Sequence, residues 1–262
     1  AFTVSLDGTG GQDQSVSGLL QSSRDVYTRI AGFNFSAARF RIRGYGSENF
    51  TVMMNGVGLN NPEGGRAIWA YWGGLNDITR YQDVKNGINS SSQTFGGIGG
   101  FSNISARASD IRKGTNISYA TANRSYNHRF MVTHATGMMD DGVAVAVSAS
   151  GRYSNEGYVD GTFYRGASYF VSIEKKFNEK HSLGFVVYGA PTVQGRRSIS
   201  TEETYSLTGN NYYNSFWGYQ NGEKRNSRVR NNHKPRMMLN HYFKLNDKTQ
   251  INTSRSEEHT SE

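Results

Sequence analysis

From Gly114 onward, apolar and polar residues alternate along the chain in one segment after another. In residues 143–150 (VAVAVSAS), the valines and Ala149 share one face, while alanines and serines share the other. The same period of two recurs in residues 169–174, 183–187 and 237–244. Because successive side chains of a β-strand point to opposite faces, this pattern predicts antiparallel strands with one apolar and one polar face.

The connections between these predicted strands differ in length in a regular way. They span residues 123–127, 137–142, 154–165, 178–181, 192–235 and 246–248, and every second one is short. Outer-membrane barrels combine short periplasmic turns with longer extracellular loops. The lengths therefore predict a transmembrane sheet of about seven strands, with 154–165 and a structureless 192–235 on the extracellular side.

The chain before Gly114 has short predicted strands separated by Gly-rich turns. The predicted elements are strands at 2–6, 40–43, 51–54 and 80–85, and a Gly-studded segment that runs into 101–105. Asn55-Gly56 is the turn after the third of these strands. Asp13 or Ser15 can cap a short helix through Leu20, because their side-chain oxygens accept the free amides of a first helical turn.

Four motifs of this region stand in a distinctive order. They are Ile42-Arg43-Gly44, then VMMNGV (52–57), ITRYQDVKNG (78–87) and FGGIGGFSNI (95–104). Together they resemble the plug domain of TonB-dependent outer-membrane receptors. Asn55 stands where that family has Asp, Asp83 where it has Glu, Phe95 where it has Tyr, and Phe101-Ser102 where it has Val-Ile, so no substrate follows from the motifs.

The resemblance implies a mainly β protein with two parts. We expect an α+β plug domain over residues 1–112, followed over 113–254 by an incomplete antiparallel transmembrane β-barrel. Plugged transporters of this kind close with about 22 strands. The last eight residues, 255–262 (RSEEHTSE), resemble the translation of a common sequencing adapter and are excluded from the predicted fold, so the receptor is expected to continue beyond Ser254.

Composition favours long strands over a dense soluble core. The 262 residues include 31 Gly, 3 Pro and 30 Tyr plus Phe, with 35% hydrophobic residues. The net charge of +8 is dispersed, without a basic block or recognition helix, which argues against a nucleic-acid partner. Zero Cys excludes a disulfide scaffold and Cys-based metal sites, and is compatible with folding through an oxidising periplasm.

The sequence offers no catalytic constellation. The six His lack metal-ligand spacing, so no metal is predicted. Asp140-Asp141 lies in a predicted turn and Glu202-Glu203 in a loop, without the rigid support that paired carboxylates need for hydrolysis. The glycines of 97–102 are followed by a strand, not by the helix of a dinucleotide or phosphate site. We predict no cofactor and no enzyme activity.

Ligand binding is the remaining chemistry. The resemblance implies that plug loops at 45–50 and 59–75 help form the floor of an extracellular ligand site. The candidate residues are Tyr45, Glu48, Asn60, Asn61, Glu63, Arg66, Trp69, Tyr71 and Trp72. The aromatic rings could stack on a flat or sugar-like ligand and the polar groups could hydrogen-bond it. The alternative is that the aromatic side chains only wedge the plug against the barrel wall.

By the resemblance, the chain belongs to a receptor in the outer membrane of a Gram-negative cell that imports its ligand with energy from TonB. The implied partners are the periplasmic TonB complex, whose contact segment precedes the plug in the family, an unknown extracellular ligand and outer-membrane lipid. A surface lipoprotein partner is left open. The alternative function is a soluble or surface-attached β-rich adhesin or carbohydrate-binding module.

Overall fold

A computed structural model gives the fold for residues 2–3, 39–40, 45–89, 91, 93–95, 97–121 and 125–258. Two parts are described below: the N-terminal domain, from Tyr45 to Lys113, and the long sheet, from Gly114 to Glu258. The predicted helix ending at Leu20 and the Ile42-Arg43-Gly44 motif lie outside the described residues.

The N-terminal domain is built on a small mixed sheet. Its strands are β3 (Phe50–Met54), β4 (Val57–Gly58), β5 (Gln82–Asn86) and β6 (Gly100–Ile104), in the order β4-β3-β6-β5. β3 and β6 are parallel and the other neighbours are antiparallel. Two 3-10 helices, Ser47–Asn49 and Trp69–Trp72, interrupt the loops. Before them, β1 (Phe2–Thr3) pairs with β2 (Arg39–Phe40).

The predicted turn at Asn55-Gly56 is confirmed. Both residues have positive φ, 49° and 80°, as a two-residue hairpin turn that follows the twist of its strands requires.

The predicted strand 80–85 begins later, at Gln82. The reason is a turn before it, in which the amide and hydroxyl of Thr79 both donate to the carbonyl of Leu75.

The long sheet is an antiparallel meander. Its strands are β7 (Gly114–Thr121), β8 (His128–Ala135), β9 (Val143–Ser154), β10 (Tyr164–Lys176), β11 (His181–Gly189), β16 (Arg236–Asn246) and β17 (Thr249–Glu258). These seven strands stand where the sequence predicts them, and two short strands within 192–235, described below, bring the sheet to nine. The mainly β fold class is confirmed. The sheet is not closed, since β7 and β17 each pair with a single strand among the described residues.

The prediction that 192–235 is structureless is wrong. It contains β12 (Thr192–Gly195), helix α1 (Glu202–Thr208), β13 (Trp217–Gln220), β14 (Glu223–Asn226) and β15 (Val229–Asn232). β12 pairs with both β10 and β15, so the sheet continues into this connection. Asn221 and Gly222, with φ 52° and 82°, turn the β13–β14 hairpin, a signal that loop length alone does not carry.

The last strand runs farther than expected. We expected it to end at Ser254, but β17 extends to Glu258. Met237 pairs with Glu257 there, and the Arg236 guanidinium lies 2.5 Å from the Glu258 carboxylate.

The predicted alternation gives the long sheet an inner face, packed against the N-terminal domain, and an outer face. On β9 the inner positions are all buried: Ala144, Ala146, Ser148, Ser150, Arg152 and Ser154. One core joins the two parts, since Met54, Trp72 and Ile104 of the domain belong to the same buried cluster as Phe170 and Tyr188 of the sheet. Small and polar inner side chains let the domain approach closely.

The outer face has an apolar middle and aromatic ends. Val147, Val171, Val187 and Met237 are successive cross-strand partners in one register row. At the end of the sheet that carries 155–163 and 190–235, which we call the loop end, the outer face bears Tyr119, Phe130 and Tyr153. At the opposite end, the turn end, the rings of His181 and Phe243 stack at 4.4 Å.

Among the described residues, no helix has the length and apolar character needed to cross a membrane.

Candidate functional site

A buried ion pair ties the N-terminal domain to the sheet near the turn end. Arg107 donates from Nη2 to Glu174 Oε1 at 2.5 Å and from Nε to Oε2 at 3.3 Å, and the Ser109 hydroxyl donates to the same carboxylate at 2.7 Å. The Glu174 side chain is only 2% exposed. The Arg107 guanidinium also lies 3.9 Å from the ring centroid of Tyr242. Because a buried charge is tolerated when it is paired and hydrogen-bonded, this cluster joins the domain to β10 and β16.

A second junction lies farther toward the loop end. Arg152 Nη2 and the Ser168 hydroxyl both donate to the carbonyl of Gly73, at 3.0 Å and 2.6 Å. Gly74 has φ 90°, and a Cβ there would come within 2.6 Å of Ser150 Oγ and 2.7 Å of Ser168 Oγ. The backbone of the domain therefore lies directly on the sheet at a position where only glycine fits.

Asn55, which departs from the family's Asp, makes a third junction. Its Oδ1 accepts from the Ala106 amide at 2.7 Å, and its Nδ2 donates to Asn240 Oδ1 at 3.5 Å. An ionised Asp could accept from Ala106 but could not donate to Asn240. This departure from the motif therefore has a structural reason.

The side chain of Asn60, one of the predicted ligand residues, is hydrogen-bonded to backbone groups of the N-terminal domain. Its Nδ2 donates to the carbonyls of Phe50 and Gly65 at 2.7 Å and 2.8 Å, and its Oδ1 accepts from the Val52 amide at 2.8 Å. These three hydrogen bonds hold the loop 59–67 against β3. A ligand could compete for these bonds only by opening the loop.

Three of the four predicted aromatic residues, those of the loop 59–75, occupy different environments. Trp72 is buried at 1% exposure in the core shared with the sheet, which leaves no ring face for a ligand and favours the packing alternative. Trp69 is half-buried and tilted against Trp72, with ring centroids 5.4 Å apart. Tyr71 is half-buried beneath Lys234, whose ammonium lies 5.2 Å from the ring.

The remaining predicted residues lie around the loop 59–67. Glu48 and Asn60 line a shallow pocket of ≈ 450 Å³ with Gly65 and Ile98. Asn61 Oδ1 accepts from the Glu63 amide at 2.9 Å. Glu63 is exposed, Arg66 is half-buried and Tyr45 is 43% exposed. Their role in ligand binding stays a prediction.

A larger cleft, not predicted from the sequence, lies among the loops of the long sheet. It has a volume of ≈ 850 Å³ and opens between residues 155–165 and the β13–β14 hairpin. Cationic and aromatic side chains are paired along it. Lys224 Nζ lies 4.3 Å from the Trp217 ring and Arg165 lies 5.8 Å from the Phe163 ring. Such rings and cations can contact the faces and anionic groups of a ligand.

Lys224 joins the two walls of this cleft through two ion pairs. Lys224 donates to Glu156 Oε1 and lies 3.7 Å from Asp160. The hydrogen bond from Lys224 holds the pKa of Glu156 below its ordinary value, and the same bond raises the pKa of Lys224. Both groups are therefore charged across the neutral range.

Two asparagines hold the loops in place. Asn214, buried at 3% exposure, donates to the Asp160 carbonyl at 2.8 Å. Asn226 donates to the carbonyls of Gly161 and Arg196, both at 2.8 Å. The Asn-rich, aromatic and basic composition of 210–230 was the available sequence signal, but it gives no partners for these side chains.

The residues that the structure describes contain no group of three or more His, Asp or Glu side chains placed to hold a metal ion.

Comparison with known proteins decides the nature of the N-terminal domain. Residues 6–101 match the family model described as the TonB-dependent receptor plug domain. That match covers less than half of the 262 residues and identifies this part of the chain as similar to a TonB-dependent receptor plug domain. The resemblance inferred from the four motifs is thereby confirmed. The name "plug" is used below for the N-terminal domain.

Solved structures match both the plug and the long sheet. The siderophore receptor PiuA from Acinetobacter baumannii has a TM-score of 0.53 and 16% identity over 84% of this chain and 30% of its own. The ferric citrate transporter FecA has a TM-score of 0.56 and 13% identity over 84% and 32%. The ferric-catecholate import receptor Fiu from E. coli K12 has a TM-score of 0.55 and 12% identity over 85% and 31%.

At these identities the likeness concerns the fold alone. The chain spans about a third of the length of these receptors. A sequence comparison with curated proteins finds no match. The family model is that of a receptor plug domain and the matched structures are receptors and a transporter, so the alternative of a soluble or surface-attached adhesin or carbohydrate-binding module has no support.

Proposed function

We propose that this chain is part of an outer-membrane receptor that binds an extracellular ligand and imports it with energy from TonB. The observation that carries the proposal is the plug domain seated on the inner face of an antiparallel sheet. That sheet turns an apolar band with aromatic ends outward, as a membrane barrel does. The protein acts as a transporter, not as an enzyme.

The ligand enters, in this proposal, through the cleft between residues 155–165 and the β13–β14 hairpin. Tyr71 and Lys234 lie where the loop region meets the plug and would contact the ligand next. The related structures named above are receptors for siderophores and ferric complexes. An anionic metal complex would suit the cations of this cleft, with Arg165 and Arg225 on its walls.

Topology is the first test. Because the chain contains no Cys, single Cys probes can be placed in the full-length receptor at Asn210, in the long connection, and at Glu179, in a short turn. An impermeant thiol reagent on intact cells is expected to label the Asn210 probe and to leave the Glu179 probe unlabelled until the outer membrane is opened. The reverse labelling would show that the two connections face the opposite sides of the membrane, and would refute the proposed function.

Dependence on TonB needs a second experiment. The full-length receptor is expected to remain in the outer-membrane fraction until detergent is added, and to cross-link to TonB in cells. A receptor that is released by washing without detergent would instead be a soluble or surface-attached protein.

A further inference from the structure

Two histidines meet on the outer face of the long sheet at the turn end. His181 of β11 pairs in register with Phe243 of β16, and Leu183 pairs with His241, so the two histidines are diagonal neighbours across these strands. His181 Nδ1 lies 3.1 Å from His241 Nε2, with the ring centroids 5.3 Å apart and the ring planes within 8° of parallel. The two nitrogens therefore face each other across the junction between β11 and β16.

Neighbouring groups fix the position of the histidine pair. The ring of Phe243 stacks on His181 with a centroid distance of 4.4 Å. The side-chain oxygen of Asn178 accepts from the amides of Lys180 and His181 at 2.8 Å and 2.9 Å, which orders the turn that leads into β11. His181 and His241 are both half-buried, so part of each ring is open to solvent and to a small ligand.

The distance between the two histidines suits a metal ion. A ligand nitrogen lies about 2.0–2.1 Å from a bound Zn²⁺, so two nitrogens on one ion, at an angle of roughly 90–110°, are about 2.8–3.4 Å apart. The separation of 3.1 Å between His181 Nδ1 and His241 Nε2 falls in that range. A tilt of the two rings aims both nitrogens at one ion.

The proton between the rings can make way for such an ion. While both rings are neutral, one N–H lies on the axis between the two nitrogens and donates to the other ring. When that proton moves through water to the outer nitrogen of the same ring, both facing nitrogens present lone pairs. Each ring then keeps one N–H on its outer nitrogen, as in histidines that bind a metal through the other nitrogen.

We propose that His181 and His241 form a two-histidine site for a divalent transition-metal ion, with Cu²⁺ bound most tightly and water as the other ligands. Imidazole is a ligand of Cu²⁺, Ni²⁺ and Zn²⁺, and Cu²⁺ stands at the top of their affinity order. The pair is smaller than the three-residue groups considered above, and its members are 60 residues apart in the sequence, so ligand spacing along the chain does not indicate it. The bound ion links β11 to β16 at the turn end.

Cu²⁺ binding to the purified full-length receptor tests this site. The receptor carries an affinity tag without His, and binding is followed by isothermal titration calorimetry and by the nitrogen hyperfine lines of the Cu²⁺ electron paramagnetic resonance spectrum. The unmodified receptor is expected to show an ion with two nitrogen ligands. His181→Ala and His241→Ala should each abolish that spectrum and weaken binding by more than about tenfold, because losing even a group that only orients a metal ligand costs about 10–100-fold.

His134→Ala is the matched control. His134 also lies on the outer face, but its Nδ1 lies 2.7 Å from the Thr115 hydroxyl and not beside a second histidine, so this variant should bind Cu²⁺ as the unmodified receptor does. A receptor with both His181→Ala and His241→Ala should bind about as weakly as either single variant, because one histidine alone does not chelate the ion. His181→Asn and His241→Asn replace the alanine variants where these fail to give a heat-modifiable band on a gel.

The proposal is overturned if the variants at His181 and His241 bind Cu²⁺ as the His134→Ala receptor does, since the ion would then be adventitious. It is also overturned if the unmodified receptor shows no ion with two nitrogen ligands, in which case the two histidines form a hydrogen bond only. These measurements depend neither on transport nor on which side of the membrane the turn end faces, so they stand apart from the tests of the proposed function.

Discussion

The junction between plug and sheet differs from the loop cleft in how its polar groups are held. At the junction, Glu174 is buried and bound by two side chains, and Gly74 touches the sheet through its backbone. In the cleft, Lys224 and Glu156 pair in contact with solvent. The junction holds its charges away from water, whereas the ion pair of the cleft is open to solvent and so contributes less to stability. The surface that holds the plug against the sheet is thus separate from the cleft that we propose as the ligand's entry.

The largest expected effect is on the junction, from Trp72→Ala in the full-length receptor. Removing this buried ring should weaken the packing of plug on sheet by about 3–5 kcal/mol. The measurement is the urea concentration at which the plug becomes sensitive to protease. Trp69→Ala, at a half-buried ring, is the matched control and should cost less. If Trp72→Ala lowered ligand affinity with unchanged urea resistance, the ring would belong to the ligand floor instead.

Removing the buried carboxylate should have the next largest effect. Glu174→Ala leaves Arg107 without its anionic partner, at a cost of about 3 kcal/mol. The same urea and protease measurement applies. Glu179→Ala removes a carboxylate from an exposed turn and should change nothing. Equal urea resistance of the two variants would show that the ion pair does not hold the plug.

Gly74→Ala tests the close approach of backbone and sheet. The left-handed φ and the short distances to Ser150 and Ser168 predict a cost of about 1–3 kcal/mol. Gly58→Ala is the control, because a Cβ at Gly58 meets nothing within 4 Å and its φ is not left-handed. Equal behaviour of the two would mean that the plug loop can lift from the sheet without cost.

The smallest effect is expected in the cleft and depends on pH. Since the pKa of Glu156 is lowered in the folded protein, its pairing with Lys224 stabilises the cleft above the ordinary Glu pKa. That contribution is lost as pH falls through the lowered value, below about pH 4, and amounts to less than about 1 kcal/mol for so exposed a pair.

Fluorescence of Trp217, which lies beneath the Lys224 ammonium, is the readout of this titration. The Trp217→Phe receptor supplies the background to be subtracted. Glu156→Gln should abolish the acid transition, while the junction variants should leave it in place. A transition that survives Glu156→Gln would have to come from another carboxylate.

The candidate site was only partly predictable. Four ordered motifs were sufficient to recognise the plug, because short turns and strands depend on neighbouring residues. The aromatic residues of the plug loop could also be identified from the sequence. Whether Trp72 faces a ligand or the sheet depends on the inner face of the sheet, which is formed by residues later in the chain. Sequence signals for the loop cleft were weaker, since its walls lie on separate connections.

Seven strands of the long sheet, their two faces and the Asn55-Gly56 turn could be predicted from the sequence, because alternation and turn chemistry act between near neighbours. The ion pair of Arg107 with Glu174, the pairing of β12 with both β10 and β15, and the burial of Trp72 could be read only from the folded protein. These contacts link distant parts of the chain. Their geometry depends on strand register and on how the plug sits against the sheet, neither of which local periodicity specifies.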